Sequence, residues 1–191
     1  MKILGDSNPH YFYGIDLTAS YKGFDFRCFL QGVLKHDFWP GESSYFWGVR
    51  GGYSKWYTIG LEQHNDYFRD QPIGLEGYEL PVNLDSYYPR PITSANSNGN
   101  TFGSKNQQTQ SRYMQNAGYM RLKNLQLGYS LPKSVLDKVG IANCRVFVSG
   151  ENLLTFTSLS SIFDPETCVG GWGGNAYPLS STWSFGLSVT F

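Results

Sequence analysis

The chain ends with the stretch Trp183-Ser-Phe-Gly-Leu-Ser-Val-Thr-Phe191, in which bulky apolar residues alternate without interruption with small or polar ones. Successive side chains of a β-strand point to opposite faces. The alternation therefore predicts a strand with one apolar face, formed by Trp183, Phe185, Leu187, Val189 and Phe191. A strand of a soluble β-sandwich shows the same alternation, so the rest of the chain decides whether this face meets a protein core or lipid.

Four further segments alternate with the same period of two and also predict strands. With the C-terminal strand, the predicted strands span about residues 10–21, 24–36, 117–131, 143–157 and 182–191. Most of them exceed the length of an average globular strand, which is about 5 or 6 residues, and suit a tilted crossing of a membrane.

The connections between these strands are alternately short and long. Lys22-Gly23 is a tight turn and residues 132–140 form a short turn with one helical twist, whereas residues 37–116 and 158–181 form long loops. In an up-and-down barrel successive connections lie on alternate sides of the membrane, with short periplasmic turns and longer extracellular loops. The order of short and long connections therefore predicts that both long loops are extracellular.

The composition also favours a membrane barrel over an ordinary soluble domain. Aromatic residues make up 17% of the chain and charged residues only 16%, whereas charged residues make up about 25% of soluble domains. No stretch approaches the roughly 18 consecutive apolar residues of a membrane helix. The predicted fold class is an all-β, antiparallel up-and-down meander of a transmembrane β-barrel with long extracellular loops.

The charges predict no nucleic-acid partner. The 15 basic and 15 acidic residues cancel and no basic cluster is present, whereas nucleic-acid sites are marked by basic patches.

The two long loops are the expected location of ligand binding, because loops of this length are usually functional or disordered. Whether residues 45–60 form a strand or a helix stays open. Flat aromatic rings bury sugar or peptide faces at a small cost in entropy. The candidate ligand-binding residues are the loop aromatics Trp39, Trp47, Trp56, Tyr87, Tyr88 and Trp172. The alternative is that these rings pack the loops against each other.

No pattern in the sequence predicts catalysis, a cofactor or a metal site. Asp164 and Glu166 lie one residue apart in a loop, where carboxylates more often cap a turn. The three histidines, His10, His36 and His64, lie far apart. We therefore expect no catalytic residue and no metal ligand.

Arg121 and Lys123 occupy odd-numbered positions, as do Leu125 and Leu127. Unbroken alternation would place all four side chains on the same face. We therefore expect the two basic residues to mark the depth at which lipid headgroups begin, since charge on a lipid face is tolerated near the interface.

The cysteines are Cys28, Cys144 and Cys168, an odd number without the spacing of a redox pair or a metal site. Inert thiols are favoured over a single disulfide. Because Cys168 lies in a predicted extracellular loop, we expect a membrane-impermeant thiol reagent to label it.

Several motifs follow one another along the chain. Residues 83–131 contain NLDSYYPRP and then SRYMQNAGYMRLKNLQLGYSLP, and residues 21–33 read YKGFDFRCFLQGV. RVFVSGENLLTFTSL, Asp164-Pro-Glu166, Tyr177-Pro178 and the terminal FGLSVTF follow in order. As a set, and over essentially the whole chain, these motifs resemble the SusC/RagA-type TonB-dependent outer-membrane transporters.

The resemblance implies a barrel of the plugged, roughly 22-stranded kind. Residues 1–191 would form its C-terminal part, and the plug domain and the TonB-contacting segment would lie elsewhere, so that the chain would not transport alone. The implied function is nutrient import, without enzymatic activity, across the outer membrane of a Gram-negative cell. The implied cargo is an oligosaccharide or a peptide. The implied partners are a SusD-like surface lipoprotein, the TonB–ExbB–ExbD system and outer-membrane lipid. A soluble β-sandwich carbohydrate-binding module is the alternative.

Overall fold

A computed structural model of the chain describes residues 2–40, 62–90, 109–138, 140–169 and 176–191. The chain divides into two compact units. The sheet unit comprises residues 5–38, 115–168 and 177–191, and the loop unit comprises residues 1–4, 39–114 and 169–176. Residues 45–60, for which the sequence leaves a strand or a helix open, lie outside the described residues.

Most of the regular secondary structure in the described residues is β-structure. In chain order the strands are β1 (His10–Tyr21), β2 (Phe24–Lys35), β3 (Asp37–Phe38), β4 (Gln115–Asn116), β5 (Tyr119–Ser130), β6 (Asn143–Thr157) and β7 (Thr182–Thr190). Helix α1 spans Lys133–Leu136, and a 3₁₀ turn spans Glu62–Asn65. Among the described residues, no helix is both long and apolar enough to cross a membrane.

The long strands form one antiparallel sheet of five strands in the order β1-β2-β5-β6-β7. Each long strand after β1 pairs with the long strand that precedes it in the chain, as consecutive elements commonly do. Strands β1 and β7 therefore lie at the edges of the sheet, and the short strands β3 and β4 form a separate pair. The predicted antiparallel meander is confirmed.

One face of this sheet is apolar on neighbouring strands. Leu127 of β5 pairs with Phe26 of β2 and with Val148 of β6. Val148 in turn pairs with Phe185 of β7. Directly paired residues point to the same face of a sheet, so the apolar residues of β7 share the face of Leu127, as the alternation predicts.

The apolar face is exposed. Phe185 is 83% exposed, Leu187 66% and Trp183 58%. In a β-sandwich the same side chains would be packed between two sheets. Their exposure contradicts the sandwich alternative and matches the outward-facing apolar band of a membrane barrel.

The opposite face carries ion pairs that join different strands of the sheet. Arg27 of β2 lies 2.6 Å from Asp16 of β1. Arg145 of β6 donates from Nε to Oδ1 of Asp25 in β2, at 2.9 Å, and so reaches across β5. Gly128 of β5 permits this crossing, because a Cβ at that position would lie 2.4 Å from the Asp25 carboxylate.

The turn between β1 and β2 has a positive φ at both of its central residues, 46° at Lys22 and 88° at Gly23. Two positive φ angles define the type I′ turn, whose twist matches that of a two-residue hairpin. The turn therefore sets the pairing of β1 with β2.

A β-bulge interrupts the alternation of β5 at Lys123. Leu30 of β2 pairs with Leu122, whereas the adjacent Phe29 pairs with Asn124. The extra residue on β5 inverts the alternation between the two parts of the strand.

The prediction that Arg121 and Lys123 share the face of Leu125 and Leu127 is therefore wrong. Arg121 pairs with Gln31, which lies on the polar face of β2. Its side chain is buried, with 2% of the residue exposed. Arg121 thus belongs to the polar face and does not mark the depth of lipid headgroups.

Replacing Gly32 with alanine is expected to lower the free energy of unfolding by about 1–3 kcal/mol, the usual cost of overpacking. A Cβ at this position would lie 2.3 Å from the Tyr119 carbonyl oxygen and 2.4 Å from the Tyr13 hydroxyl. Gly14→Ala is the matched control, because its nearest neighbour would be the Phe29 ring at 3.3 Å. The measurement is the midpoint of thermal unfolding, and equal shifts in the two variants would contradict the described pairing of β2 with β5.

Candidate ligand-binding site

The loop unit is organised around two segments that lie side by side, residues 66–69 and 83–88. The Phe68 amide donates to the Tyr88 carbonyl at 3.0 Å, and the Tyr88 amide donates to the Asp66 carbonyl at 2.9 Å. Arg69 and Asn83 exchange two backbone hydrogen bonds of 2.9 Å each. The backbone around Tyr88 is therefore fixed on both sides.

Two charged side chains hold these segments together. The buried Arg69 donates from Nε to the Pro81 carbonyl at 2.8 Å and from Nη1 to the Asn65 carbonyl at 2.6 Å. The Asp66 carboxylate accepts hydrogen bonds from Asn83 Nδ2 at 2.9 Å and from the Tyr87 amide at 3.1 Å. These contacts fix the chain at the start of the Tyr87-Tyr88 pair.

The rings of Tyr87, Tyr88 and Tyr113 form a compact cluster. The centroid of the Tyr87 ring lies 5.0 Å from that of Tyr88 and 5.3 Å from that of Tyr113, and both contacts are edge to face. The His64 ring meets Tyr88 edge to face at 5.5 Å. Such geometry is the favoured one for aromatic pairs, so mutual packing accounts for much of the surface of these rings.

Arg112 connects the segment that carries Tyr113 to the Tyr87-Tyr88 pair. Its Nη2 donates to the Ser86 carbonyl at 2.5 Å, and its Nε donates to the Tyr87 carbonyl at 3.1 Å. The guanidinium carbon lies 6.0 Å from the ring centroids of both Tyr87 and Tyr113, which is at the limit of a cation–π contact.

These residues border a cleft of about 390 Å³. Phe68, Leu84, Pro89 and Arg90 complete a wall that otherwise consists of residues 86–88, Arg112 and Tyr113. A volume of this size lies within the range of small-molecule pockets, about 300–1,000 Å³. The wall contains two guanidinium groups and no carboxylate.

The charges near the cleft are unequally paired. Arg90 lies 2.7 Å from the Asp70 carboxylate, and the hydrogen bond from Arg90 lowers the pKa of Asp70. Arg112, in contrast, has no carboxylate within 4.0 Å in the described part of the chain. Burial raises the pKa of Tyr113 although the adjacent Arg112 opposes the shift. Among the described residues of the wall, the two charged groups are therefore both positive, and only Arg90 is paired with a carboxylate.

In the described part of the chain, two of the six candidate aromatic residues are found in the wall of the cleft. Tyr87 and Tyr88 lie together at the cleft, and Trp39 is half-buried outside its wall. The remaining candidates, Trp47, Trp56 and Trp172, lie outside the described residues. Sequence reasoning did not select Arg112 and Tyr113 as site residues, although both occur in the SRYMQN motif.

A second group of charged residues lies in the sheet unit and joins β5 to the loop that follows β6. Arg121 Nη2 donates to Asp164 Oδ2 at 2.7 Å, and its Nη1 lies 2.8 Å from Glu166 Oε1. Lys123 Nζ donates to both carboxylate oxygens of Glu166, at 2.9 and 3.2 Å. Arg121 Nε also donates to Thr155 Oγ1 at 2.7 Å. We refer to these four charged residues as the ion cluster: Arg121, Lys123, Asp164 and Glu166. Their two positive and two negative charges cancel.

Asp164 has two roles in this arrangement. Burial alone would raise the pKa of its carboxyl, but hydrogen bonds from Arg121 and from the Glu166 and Leu179 amides lower the pKa below its usual value. The bond to the Glu166 amide, 2.9 Å long, is the turn-capping contact that the sequence suggests. The capping interpretation is nevertheless incomplete, because the same side chain pairs with Arg121 on β5.

The side chain of Cys168 is buried inside this loop. It is 1% exposed, and its Sγ donates to the Pro165 carbonyl at 3.4 Å. The expectation that an impermeant thiol reagent labels Cys168 is therefore wrong, because the thiol is buried within its own loop.

No family model matches the chain. The chain is 30% identical over 201 residues to TonB-dependent receptor P3 of Formosa agariphila, and the match covers 100% of the chain and 17% of that receptor. TonB-dependent receptor P26 of the same organism is 25% identical over 200 residues, with 99% of the chain and 18% of the receptor covered.

The chain also resembles solved structures of a transporter. The structure of the RagAB peptide transporter matches with 26% identity and a TM-score of 0.68, over 100% of the chain and 18% of the matched one. RagAB in its closed-closed state matches with 25% identity and a TM-score of 0.66, over the same shares of both chains. The chain belongs to the SusC/RagA-type TonB-dependent receptors.

Motifs that are distant in the sequence meet in space in two places. The SYYPRP and SRYMQN motifs come together at the cleft through Tyr87 and Arg112. The YMRLKN and Asp164-Pro-Glu166 motifs come together in the ion cluster. The chain spans 17% of the length of TonB-dependent receptor P3 and 18% of that of P26.

Proposed function

We propose that this chain forms part of the outer-membrane barrel of a TonB-dependent nutrient importer. The observation that carries the proposal is the five-stranded meander with an exposed apolar face, which matches the structure of the RagAB peptide transporter over 100% of the chain. The apolar face would contact outer-membrane lipid, and the polar face with its ion pairs would face the barrel interior.

The proposed importer acts with partners outside this chain. A SusD-like surface lipoprotein would cover the barrel, and the TonB–ExbB–ExbD system would supply energy for uptake. Barrel closure removes unpaired strand edges, and β1 and β7 lie at the edges of the described sheet. The chain would therefore act only as part of the complete receptor.

The proposed cargo is an oligopeptide. RagAB, whose solved structure in the closed-closed state matches the chain, is a peptide importer, and the cleft in the loop unit lies within the size range of small-molecule pockets. An oligosaccharide is the second candidate, since the loops carry aromatic residues that suit sugar faces.

The experiment that tests the proposal determines the side of the membrane on which each connection lies. In the intact receptor on whole cells, with the native cysteines replaced by serine, Glu76→Cys places a thiol at an exposed position of the loop unit. Lys133→Cys places one at the exposed start of α1, in the short turn. A membrane-impermeant maleimide is expected to label the first variant and to spare the second until the outer membrane is permeabilised.

Each alternative topology gives a different pattern of labelling. Labelling of Lys133→Cys alone on intact cells would invert the proposed orientation. Equal labelling of both variants in a detergent-free soluble fraction would overturn the membrane assignment.

A further inference from the structure

We propose that the cleft of the loop unit binds a carboxylate of the imported ligand through Arg112, and that the ligand is an acidic oligopeptide. The inference deepens the proposed import function and rests on it. Two observations carry it: the electrostatics of the cleft wall, and the way its rings are already packed.

The Arg112 guanidinium donates hydrogen bonds within the chain, but in the described residues its charge is not paired with a carboxylate. Nε and Nη2 each donate to a backbone carbonyl, Tyr87 and Ser86 respectively. The Arg112 side chain also hydrogen-bonds the Tyr113 side chain, and in the described residues no carboxylate lies within 4.0 Å of its guanidinium. The two carbonyl bonds hold the guanidinium plane in place, so a ligand carboxylate would meet a donor that is already oriented.

Arg90 is a second positively charged residue in the same wall, but it forms an ion pair with a carboxylate. Its Nη2 is paired with Asp70 at 2.7 Å, and its guanidinium carbon lies 5.5 Å from the Phe68 ring centroid. The Asp70 pair offsets the charge of Arg90. Arg112 is therefore the group on which anion selectivity depends.

The rings favour a peptide over a sugar. A sugar stacks on an exposed ring face, but Tyr88 and Tyr113 are each 4% exposed. The Tyr87 ring is in edge-to-face contact with both, and the Arg112 guanidinium lies near it. Leu84, which is 66% exposed, adds an aliphatic surface to the wall, and this surface suits an aliphatic side chain next to a carboxylate.

The test measures equilibrium binding to the purified intact receptor in detergent. The probes are two acetylated, amidated pentapeptides of the composition Ala-Leu-X-Leu-Ala, with glutamate or glutamine at X, and a galacturonic acid trimer. The wild-type receptor is expected to bind the glutamate peptide about tenfold more tightly than the glutamine peptide, as for one charge-assisted hydrogen bond. This preference should decrease as ionic strength rises.

Three variants separate the charge of Arg112 from its structural bonds. Arg112→Gln is expected to abolish the preference for glutamate, so that the ratio of the two peptide affinities falls to about one. Arg112→Lys keeps the charge but loses the fork that bonds two carbonyls, and should retain part of the preference. Lys133→Gln, which removes an exposed positive charge in the short turn, should leave it unchanged.

The outcomes distinguish this proposal from the proposed function. A wild-type receptor that binds both peptides equally would overturn the role of Arg112 and leave peptide import standing. An Arg112-dependent advantage for the galacturonic acid trimer alone would overturn the choice of a peptide. Failure to bind either peptide, together with unchanged growth of a receptor-deletion strain on peptides, would remove peptide import itself.

Discussion

Replacing Arg121 with methionine is expected to release residues 158–169 from β5. Asp164 and Arg121 have side chains only 6% and 3% exposed. Removing the guanidinium leaves the Asp164 carboxylate buried without its charged partner, and breaking a buried pair in this way costs about 3–5 kcal/mol. In isolated outer membranes that contain the intact receptor, cleavage within this loop by an added protease should rise on the order of a hundredfold.

Arg27→Met is the matched control for this experiment. Arg27 and its partner Asp16 also form an arginine–carboxylate pair on the polar face, but their side chains are 56% and 41% exposed. Exposed pairs contribute roughly 0–1 kcal/mol, so the rate of cleavage should hardly change. If the two methionine variants were cleaved equally fast, the ion cluster would not be what fixes the loop.

Introducing arginine at Leu125 is expected to prevent most of the receptor from assembling, because this residue lies near the middle of β5 on the apolar face. An arginine on the lipid face costs about 2–4 kcal/mol at the middle of the bilayer. The measurement is the fraction of receptor in outer membranes that migrates as a folded band on an unheated gel, which we expect to decrease severalfold.

Gln126→Arg places the same side chain one residue further along the same strand. Gln126 pairs with Arg27 and with Ser149, both on the polar face, so the added charge should be tolerated. Equal loss of the folded band in both variants would mean that the two faces of β5 do not differ in their surroundings.

The extent to which sequence predicts this fold depends on whether a strand is regular. In β7 the alternation is unbroken, and the apolar positions identified from the sequence are the exposed apolar positions of the structure. In β5 the same rule fails at Lys123, where one extra residue inverts the faces. A bulge depends on how neighbouring strands pair, so the alternation within a single strand does not reveal it.

The candidate sites show the same limit for long-range contacts. The aromatic pair Tyr87-Tyr88 is visible as a local pattern, but its contact with Arg112 joins residues 25 positions apart. Asp164 likewise looks like a local turn cap until its partner Arg121, 43 positions earlier, is known. Composition and spacing do not encode such contacts, and the motifs gave the only sequence signal for them.

The most direct test of a lipid-facing strand is a scan of spin labels along β7 (Thr182–Thr190) in the intact receptor, reconstituted in lipid after its native cysteines are replaced by serine. Labels at positions 183, 185, 187 and 189 should be most accessible to oxygen, which partitions into lipid, and labels at positions 184 and 188 to a water-soluble nickel chelate. Accessibility to the two reagents should thus oscillate with a period of two residues and in opposite phase. Oscillation in the same phase, or oxygen accessibility highest at the even-numbered positions, would contradict the assignment of this sheet to the wall of a membrane barrel.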